Sequence, residues 1–426
     1  MSTSSTSRTV KRAGVALLAT IALGTLPFAA SGTASAAAAH NGGAWRGGWA
    51  ASPQSPAAPF GANWSPQGFA NHTVRQVVRV TTGGTKARIE LSNRYGTGPL
   101  RITGATVALT DEGASVKAGT VRPLTFGTHR SATIPAGRTL SSDGVPFKVD
   151  ALQSVTVTLY LADPTGPATF HHFASATSYR ADGDHRADRD GAAFKESSGS
   201  WYFLTGVEVS GGQPNRRDGI VTFGDSITDG VGSTAGTDNR YPDELAERFA
   251  AAGKPRSVLN HGIGGNQVTN DTTWAGEKGI ERFKKDVLTE PGVRTVVVLE
   301  GINDIGGSGP SFPGGPTPVV SVEKLIEGHR TLIRQAHAKG IKAVGATLTP
   351  MKGSFYYSPE NEAKRDAVNE WIRTSGAYDA VVDFDRAVAD PKDPDALLPA
   401  YDSGDHLHPG DAGFRVMAEA LDLDEL

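Results

Sequence analysis

Cysteine is absent from the sequence, and its absence excludes several kinds of chemistry. Without cysteine the chain forms no disulfide, has no thiolate nucleophile and builds no cysteine-based metal site. Its stability must therefore come from a packed core. A chain of 426 residues, of which 38% are hydrophobic, is long enough to bury such a core and to form two domains of ordinary size.

The chain also has few charged residues and little net charge. The formal net charge is −3 at pH 7, and charged residues make up 20% of the chain. Nothing in this balance suggests a nucleic acid or another polyanion as a partner. Glycine, with 52 residues, and proline, with 25, are plentiful instead, which is typical of a protein with many tight turns.

Long apolar runs are missing except near the N-terminus. Basic residues between positions 8 and 12 precede an apolar run over 13–30, which Gly24 and Pro27 interrupt, and Ala34-Ser35-Ala36 follows. This order is typical of a secretory signal peptide with a small-residue cleavage site, so we predict a signal peptide over 1–36. A transmembrane anchor is the alternative, but the run is short for one. We expect a secreted, extracellular mature protein with no stable membrane anchor.

Residues 45–209 have the pattern of β-structure. Short runs of β-branched residues lie between turns, and the segment Ser154–Leu161 alternates strictly between Val or Leu and Ser, Thr or Tyr. No convincing amphipathic helix interrupts these runs. The pattern predicts an antiparallel β-sandwich or jelly-roll domain over 45–209. The polar, turn-rich stretch 210–218 is predicted to be a linker.

From residue 219 onward the pattern changes to alternating strands and helices. Apolar strands are predicted at 220–223, 295–300, 342–348 and 381–384, and helices at 241–252, 322–339, 359–374 and 409–421. Alternating strands and helices with apolar strands predict an α/β domain over 219–426, with a parallel sheet covered on both faces. Ligands of such sheets bind beyond the carboxyl ends of the strands.

Four segments at strand ends or in loops carry residues suited to acyl transfer. They are Gly224-Asp225-Ser226, the glycine-rich stretch 260–266, Glu300-Gly301-Ile302-Asn303-Asp304 and Asp405-His406-Leu407-His408. A serine at a strand-to-helix turn exposes its hydroxyl, as a nucleophile must. The four segments therefore supply the parts of one reactive site.

The roles within that site follow from the chemistry of the side chains. The Ser226 hydroxyl needs a base, which His408 can provide near neutral pH, and Asp405 can orient the imidazole from three residues away. An oxyanion formed on the substrate needs donors, and the Ser226 N–H, glycine backbone near Gly265 and the Asn303 amide can supply them.

In these four segments the sequence resembles the SGNH/GDSL hydrolases, a family of serine esterases and lipases. The resemblance extends from about residue 219 to 421. The resemblance implies a flavodoxin-like three-layer α/β/α fold, with Ser226 as nucleophile, His408 as base and Asp405 as its partner. It implies the Gly265 N–H and the Asn303 amide as oxyanion donors, although Gly262 and Gly264 compete with Gly265. It also implies that the reaction needs no metal or organic cofactor. The β-rich first half resembles the accessory domains of some secreted bacterial members only in its general pattern of short β-like runs.

The sequence allows other roles for the same residues. Asp405 and His408 could cap a helix that begins at Pro409, or they could bind a metal ion together with Asp402 and His406. His406 is also a rival for the role of base.

Further residues near the four segments have interpretations of their own. His261, within the glycine-rich stretch, is a second rival base. Asp225 is interpreted as a local hydrogen-bond organiser beside the nucleophile, and Asp304 as a residue that fixes the loop of Asn303. The pair His171-His172, in the β-rich half, is interpreted as structural.

The substrate is less well defined by the sequence. The glycine-rich loop 306–315 should border the pocket, and aromatic residues in loops could face it, namely Trp274, Phe355, Tyr356, Tyr357 and Tyr401. Such rings can stack on sugars or line an acyl pocket, or they can simply pack on the surface, and the sequence does not separate these alternatives. We expect an ester substrate, either an acyl lipid or an acylated carbohydrate. The β-rich domain and the expected export favour the carbohydrate by analogy of fold, and the lack of a long apolar lid argues against a dedicated triglyceride lipase. The alternative from another class is a carbohydrate- or surface-binding protein with an inert hydrolase domain.

Overall fold

Residues 1–2, 44–211, 217–309 and 312–426 are described by the computed structural model of the chain. The predicted signal peptide falls almost wholly on residues 3–43, outside the described residues. Contacts between Cα atoms divide the chain at residues 41 and 42, and everything from 42 to 426 belongs to one unit. Of the helices in the described ranges, none combines the length and the apolarity needed to cross a bilayer.

The first part of this unit consists of antiparallel β-structure. Its strands are β1 Arg46–Ala50, β2 His72–Arg79, β3 Gly84–Ser92, β4 Leu100–Ile102, β5 Gly104–Leu109, β6 Arg122–Pro123, β7 Ala132–Ile134, β8 Thr139–Ser141, β9 Val145–Val149, β10 Ser154–Leu161, β11 Phe170–His171, β12 Ser178–Asp182, β13 Glu196–Ser198, β14 Trp201–Tyr202 and β15 Leu204–Ser210. The two larger sheets have the orders β1-β15-β3-β8, with β9 also paired to β3, and β13-β12-β2-β10-β5-β6. The expected antiparallel β-rich region is therefore present.

Strand β10 shows how the alternating pattern is used. Val155, Val157 and Leu159 are buried in the hydrophobic core of this region, as the alternation predicts. Thr156 and Thr158, on the opposite face, are buried as well. The alternation with Thr therefore belongs to a strand that is covered on both faces. A buried threonine is tolerated when its hydroxyl has a hydrogen-bond partner, and the Thr156 hydroxyl bonds to that of Thr110 at 2.9 Å.

The second part alternates strands with helices. Its elements are β16 Gly219–Gly224, α1 Ser226–Asp229, α2 Tyr241–Ala251, β17 Val258–Gly262, α3 Gly279–Asp286, β18 Val293–Leu299, α4 Ile302–Gly306, α5 Val322–His337, β19 Lys342–Ala346, α6 Pro359–Thr374, β20 Ala380–Val382, α7 Phe384–Val388, β21 Ala389–Asp390, β22 Asp393–Leu397 and α8 Asp411–Ala420.

Five of these strands form a parallel sheet in the order β17-β16-β18-β19-β20. In chain order this is 2-1-3-4-5, the order of flavodoxin-like sheets, whose ligands bind where the order reverses. That point lies between β16 and β18. The register pairs Gly224 with Gly262 on one side and with Leu299 on the other, so the three strands end at the same edge.

Two element boundaries differ from the sequence prediction for a reason that the structure shows. The strand expected at 381–384 stops at Val382, because the side chain of Asp383 accepts the Arg386 N–H and begins α7. The last helix starts at Asp411 rather than at Pro409, which instead forms an isolated β-bridge with Asp402. Asp405 and His408 therefore do not cap this helix, and that alternative is wrong.

The β-rich part and the parallel sheet share a closely packed boundary. The Ser257 hydroxyl donates to the Gly47 carbonyl at 2.5 Å, and the Val258 N–H donates to the Thr81 hydroxyl at 3.0 Å. Ala50 of β1 belongs to the core that surrounds the parallel sheet. Residues 212–216 of the predicted linker lie outside the described residues, and the division into two domains at 210–218 stays a prediction.

Candidate active site

Ser226 is the first residue of α1 and stands directly beyond the end of β16. Asp225 precedes it, and one oxygen of its carboxyl accepts the Ile227 N–H at 3.0 Å, which confirms the local hydrogen bonding expected of Asp225. Gly224 is required at the turn, since a Cβ there would lie 2.2 Å from the Leu299 carbonyl oxygen. The tight turn holds the Ser226 hydroxyl at the edge of the sheet with only 7% of the residue exposed.

His408 reaches Ser226 from the loop before α8. Its Nε2 lies 2.8 Å from the Ser226 Oγ, and its Nδ1 lies 2.6 Å from an Asp405 carboxylate oxygen. A carboxylate only accepts hydrogen bonds, so Nδ1 carries the proton that it donates to Asp405. In the neutral ring Nε2 is then free to accept the Ser226 hydroxyl proton. The structure thus brings together the three residues predicted from their spacing.

The Asp405 carboxylate is held in place by its own loop. Its other oxygen accepts the backbone N–H groups of Leu407 at 3.0 Å and of His408 at 2.8 Å. Partial burial raises the pKa of Asp405, but the hydrogen bond and charge of His408 and these backbone donors outweigh it, so the pKa lies well below its ordinary value. Asp405 is therefore ionised whenever the imidazole needs an oriented acceptor.

The glycine turn after β17 presents one uncommitted N–H. The Gly262 N–H donates to the Asn260 side chain, and the Gly264 N–H donates to the Asp229 carboxylate, each at 2.9 Å. Within the described parts of the chain, the Gly265 N–H donates to no acceptor. Gly265 has a φ of +77°, and a Cβ there would lie 1.9 Å from the Trp274 ring. Geometry therefore separates Gly265 from the two glycines that compete with it in the sequence.

Asn303 lies on α4, directly after β18. Its Nδ2 donates to the Asn266 carbonyl at 3.0 Å, and its Oδ1 accepts the Tyr356 hydroxyl at 2.6 Å. Because a carbonyl only accepts, the Asn266 contact fixes which end of the amide is the nitrogen, and it leaves the second N–H of Nδ2 for a ligand. Asp304 accepts the N–H groups of Val268 at 2.7 Å and Thr269 at 3.0 Å, so it ties this loop to the segment after the glycine turn.

The rival residues are committed elsewhere. The ring nitrogens of His261 face the Ser52 hydroxyl at 2.9 Å and the Glu290 carboxylate at 3.1 Å. His406 contacts Asp402 at 2.5 Å through Nδ1. Neither ring contacts Ser226, whereas His408 does. Within the described residues, no group of three or more His, Asp or Glu side chains is placed to hold a metal ion.

A histidine from the β-rich part supports the glycine turn, and the sequence had suggested only a structural role for it. His171 Nδ1 faces the Ser52 carbonyl at 2.9 Å, and Nε2 faces the Asp229 carboxylate at 3.0 Å. Both neighbours only accept, so the ring carries two protons. Burial lowers the pKa of His171, but the charge and hydrogen bond of Asp229 raise it above the ordinary value. The resulting buried ion pair holds the carboxylate that binds the Gly264 N–H.

Arg282 on α3 is a second supporting residue that sequence reasoning missed. Its guanidinium lies 3.9 Å from the centre of the Phe223 ring. It donates to the Gly224 carbonyl at 2.7 Å and to the Asn266 side chain at 2.6 Å. One buried cation thus connects the strand before the nucleophile with the residue after the glycine turn. No local pattern around Arg282 marks this role, because its partners are far away in the sequence.

Buried carboxyl groups surround the base of the site. Burial raises the pKa of Asp225 to about 7 and that of Asp304 to about 6, and it raises the pKa of Glu300 well above its ordinary value. Arg282 contacts Glu300 at 3.3 Å and partly offsets the shift. The second oxygen of Asp225 has no partner among the described residues. The environment therefore favours the neutral form of the carboxyl group next to the nucleophile.

A cleft of about 310 Å³ opens over Ser226, Gly265, Asn303 and His408. The Ser226 N–H, as the first of its helix, has no acceptor within α1 and borders the same cleft. Three of the five aromatic residues proposed from the sequence line it, namely Trp274, Phe355 and Tyr356, and the expected loop contributes Pro313. Phe60 and Phe173, from the β-rich part, line it as well, and no sequence signal had marked them.

Comparison with known proteins gives a consistent family assignment for the second part of the chain. Residues 222–416 match the model of the GDSL-like Lipase/Acylhydrolase family, and this range includes Ser226, Gly265, Asn303, Asp405 and His408. No curated protein matches the chain.

Among solved structures, the chain is similar to an acetyl xylan esterase (22% identity, TM-score 0.36, 47% of this chain and 96% of that one). It is also similar to the lipase/acylhydrolase from Enterococcus faecalis (20% identity, TM-score 0.36, 48% and 92%). A GDSL-like lipase from Bacteroides thetaiotaomicron is a third such structure (18% identity, TM-score 0.34, 48% and 85%). The family model thus identifies a GDSL-like Lipase/Acylhydrolase domain at residues 222–416 of this chain.

Proposed function

We propose that the protein is a serine hydrolase of carboxylic esters, with Ser226 as nucleophile, His408 as general base and acid, and Asp405 as the residue that orients His408. The observation that carries the proposal is the continuous hydrogen-bonded line from the Asp405 carboxylate through the His408 ring to the Ser226 hydroxyl, with distances of 2.6 and 2.8 Å. The same arrangement activates serine on several unrelated folds.

The reaction follows from the positions of these groups. The Ser226 Oγ bonds to the ester carbonyl carbon while its proton passes to His408 Nε2. The carbonyl oxygen becomes an oxyanion, which the N–H groups of Ser226 and Gly265 and the Asn303 amide stabilise; one such donor typically lowers the barrier by about 2.7–4 kcal/mol. The C–O bond to the alcohol then breaks, and the leaving alkoxide takes the proton from His408.

The second half of the reaction releases the acid. Water attacks the acyl-serine ester, and His408 accepts a proton from this water. The tetrahedral adduct collapses, the bond to the Ser226 Oγ breaks, and His408 returns the proton to that oxygen. The balance is one ester and one water converted to one acid and one alcohol, and no step calls on a metal or organic cofactor.

The test is a comparison of the wild type with Ser226→Ala. We expect wild-type protein to hydrolyse p-nitrophenyl acetate and to be labelled covalently by a fluorophosphonate probe, because the probe reacts with an activated serine. Ser226→Ala should lose both properties while unfolding at the same urea concentration. Full hydrolysis by Ser226→Ala would refute the assignment of the nucleophile. Absence of labelling in a folded wild type would favour the alternative, an inert hydrolase domain that binds carbohydrate or a surface.

We also propose export of the protein through the predicted signal peptide over 1–36. Support comes from the basic, apolar and small-residue segments in that order. Expression in a secreting bacterial host should give a mature protein in the medium whose N-terminus follows residue 36. Retention of the intact chain in the cell membrane would favour the anchor instead.

Finer features of the fold are proposals too. We propose that the helices form two layers around the parallel sheet, because α2 packs against α8 while α3 packs against α5 and α5 against α6. We further propose that the two large antiparallel sheets form a sandwich, since residues of both share one hydrophobic core. An experimental structure would test both arrangements, and helices confined to one face of the parallel sheet would contradict the first.

A further inference from the structure

The cleft over Ser226 has a wall made of aromatic rings, and we call the rings of Phe60, Phe173, Trp274, Phe355 and Tyr356 the aromatic wall. The rings pack in two groups. The Phe60 centroid lies 5.0 Å from that of Trp274 and 5.4 Å from that of Phe173, and Phe355 and Tyr356 are 4.4 Å apart. Such spacing is typical of stabilising aromatic contacts, so the wall is a built surface.

The polar ends of these rings are already bonded within the protein. The Trp274 Nε1 donates to the Pro313 carbonyl at 2.8 Å, and the Tyr356 hydroxyl donates to Asn303 at 2.6 Å. The remaining polar side chains of the cleft are those of the reaction itself. A sugar stacked on the wall would find no free polar side chain there to bind its hydroxyl groups, so nothing in the wall would select it over an apolar group. An apolar group needs no such partner and gains from covering the rings.

Two residues at the mouth of the cleft point to the same conclusion. Phe60 is 49% exposed and Phe355 is 55% exposed, which is unusual for large apolar side chains. Isolated exposed hydrophobic residues need no explanation, but here both border one cleft beside a reactive serine. A bound apolar group would cover both rings.

The cleft is large compared with a small acyl group. One water molecule needs about 10–15 Å³ of space of this kind, so a cleft of about 310 Å³ has room for many more heavy atoms than the three of an acetyl group. An acetyl group would therefore leave most of the aromatic wall uncovered.

We propose that the aromatic wall binds the acyl group of the substrate, so that the preferred esters carry an apolar acyl group larger than acetyl, aliphatic or aryl. Phe60 and Phe173 come from the β-rich part, which therefore supplies part of the specificity pocket. The inference rests on the proposed esterase activity at Ser226.

The experiment measures kcat/KM for the p-nitrophenyl esters of acetate, octanoate and palmitate, with active enzyme counted by fluorophosphonate labelling. We expect octanoate to exceed acetate at least about 10-fold, because each buried methylene contributes about fourfold when fully covered. Palmitate should exceed acetate as well. Phe60→Ala and Phe355→Ala should each lower the octanoate-to-acetate ratio at least about fivefold. Tyr357→Ala, next to the wall but outside the lining, is the matched control and should keep the wild-type ratio.

The outcomes separate this inference from the activity on which it rests. Labelled, acetate-hydrolysing enzyme whose kcat/KM falls from acetate to octanoate, or whose ratio is unchanged in Phe60→Ala and Phe355→Ala, would overturn the inference and leave the esterase proposal intact. Faster release of acetate from acetylated xylan than hydrolysis of octanoate would do the same. Folded protein that neither labels nor hydrolyses any of these esters would overturn both.

Discussion

Replacement of Tyr356 by Phe tests whether the Asn303 amide is an oriented oxyanion donor. The Tyr356 hydroxyl donates to the Asn303 Oδ1 at 2.6 Å, and the two residues are only 4% and 2% exposed. Burial raises the pKa of Tyr356 above its ordinary value, so the hydroxyl stays protonated and stays a donor. Phe keeps the ring in the aromatic wall and removes only the hydroxyl.

The magnitude follows from what the lost hydroxyl leaves behind. The Asn303 Oδ1 would stay buried without a donor, which costs about 1–3 kcal/mol. Only the Asn266 carbonyl, bonded to Nδ2 at 3.0 Å, would then restrain the amide. Complete loss of the amide in Asn303→Ala should cost about 2.7–4 kcal/mol in the transition state, or about 10²–10³ in kcat. We expect Tyr356→Phe to lose part of this, about 5- to 30-fold in kcat, with KM for p-nitrophenyl octanoate unchanged within about twofold.

A double-mutant cycle separates orientation of the amide from other effects. If Tyr356 acts through Asn303, Tyr356→Phe should change kcat by less than about twofold once Asn303→Ala is present. The same factor in both backgrounds would refute the reasoning, as would a rise in KM with kcat unchanged. Urea unfolding of each variant checks that the loss is not a loss of folded protein.

Three other predictions concern groups around the site. Asp405→Asn should lower kcat by about 10²–10⁴ with little change in urea midpoint, because the imidazole loses its oriented partner; activity within threefold of wild type would contradict the role of Asp405. Asp225 has its pKa raised from 3.8 to about 7 in the folded state. The native protein therefore retains a proton that the unfolded chain has lost, so its stability falls as pH rises from about 4 to 7. The free energy of unfolding of Asp225→Asn should lack this fall, so the variant should gain up to about 4 kcal/mol relative to the wild type between pH 4 and pH 8, measured by urea unfolding. A difference between the two proteins that does not change with pH would contradict the raised pKa of Asp225. His171→Phe should cost about 3–5 kcal/mol in unfolding free energy because it leaves the buried Asp229 charge unpaired, and adding Asp229→Asn should recover part of the loss; no recovery would show that the charge is not the cause.

The placement of the main site residues could be predicted because strand ends in a parallel sheet meet at one edge. Ser226 follows β16 and Asn303 follows β18, on the two sides of the point where strand order reverses. The geometry of Asp405 and His408 is also local, since the two residues are three positions apart. The predicted start of the last helix was wrong, because Pro409 suits the first position of a helix and equally the β-bridge that it forms with Asp402.

The supporting residues could not be predicted, because each acts across a long stretch of chain. Tyr356 meets Asn303, and Arg282 meets Gly224, through the packing of separate loops and helices. The three glycines Gly262, Gly264 and Gly265 have the same backbone freedom, so residue type alone does not show which N–H is free to bind an oxyanion. The choice depends on side-chain acceptors that occupy two of the three N–H groups.

The role of the β-rich part follows from where it touches the reaction site. It reaches the oxyanion turn through His171 and Asp229, whose carboxylate binds the Gly264 N–H, and it reaches the substrate cleft through Phe60 and Phe173. A tethered module without such contacts could change sequence freely without effect on the chemistry. Here a change in strand β11 alters a buried charge beside the turn that presents Gly265. If the ester binds in the cleft as proposed, we expect changes at His171 to alter the rate through the glycine turn, and changes at Phe60 or Phe173 to alter the choice of acyl group.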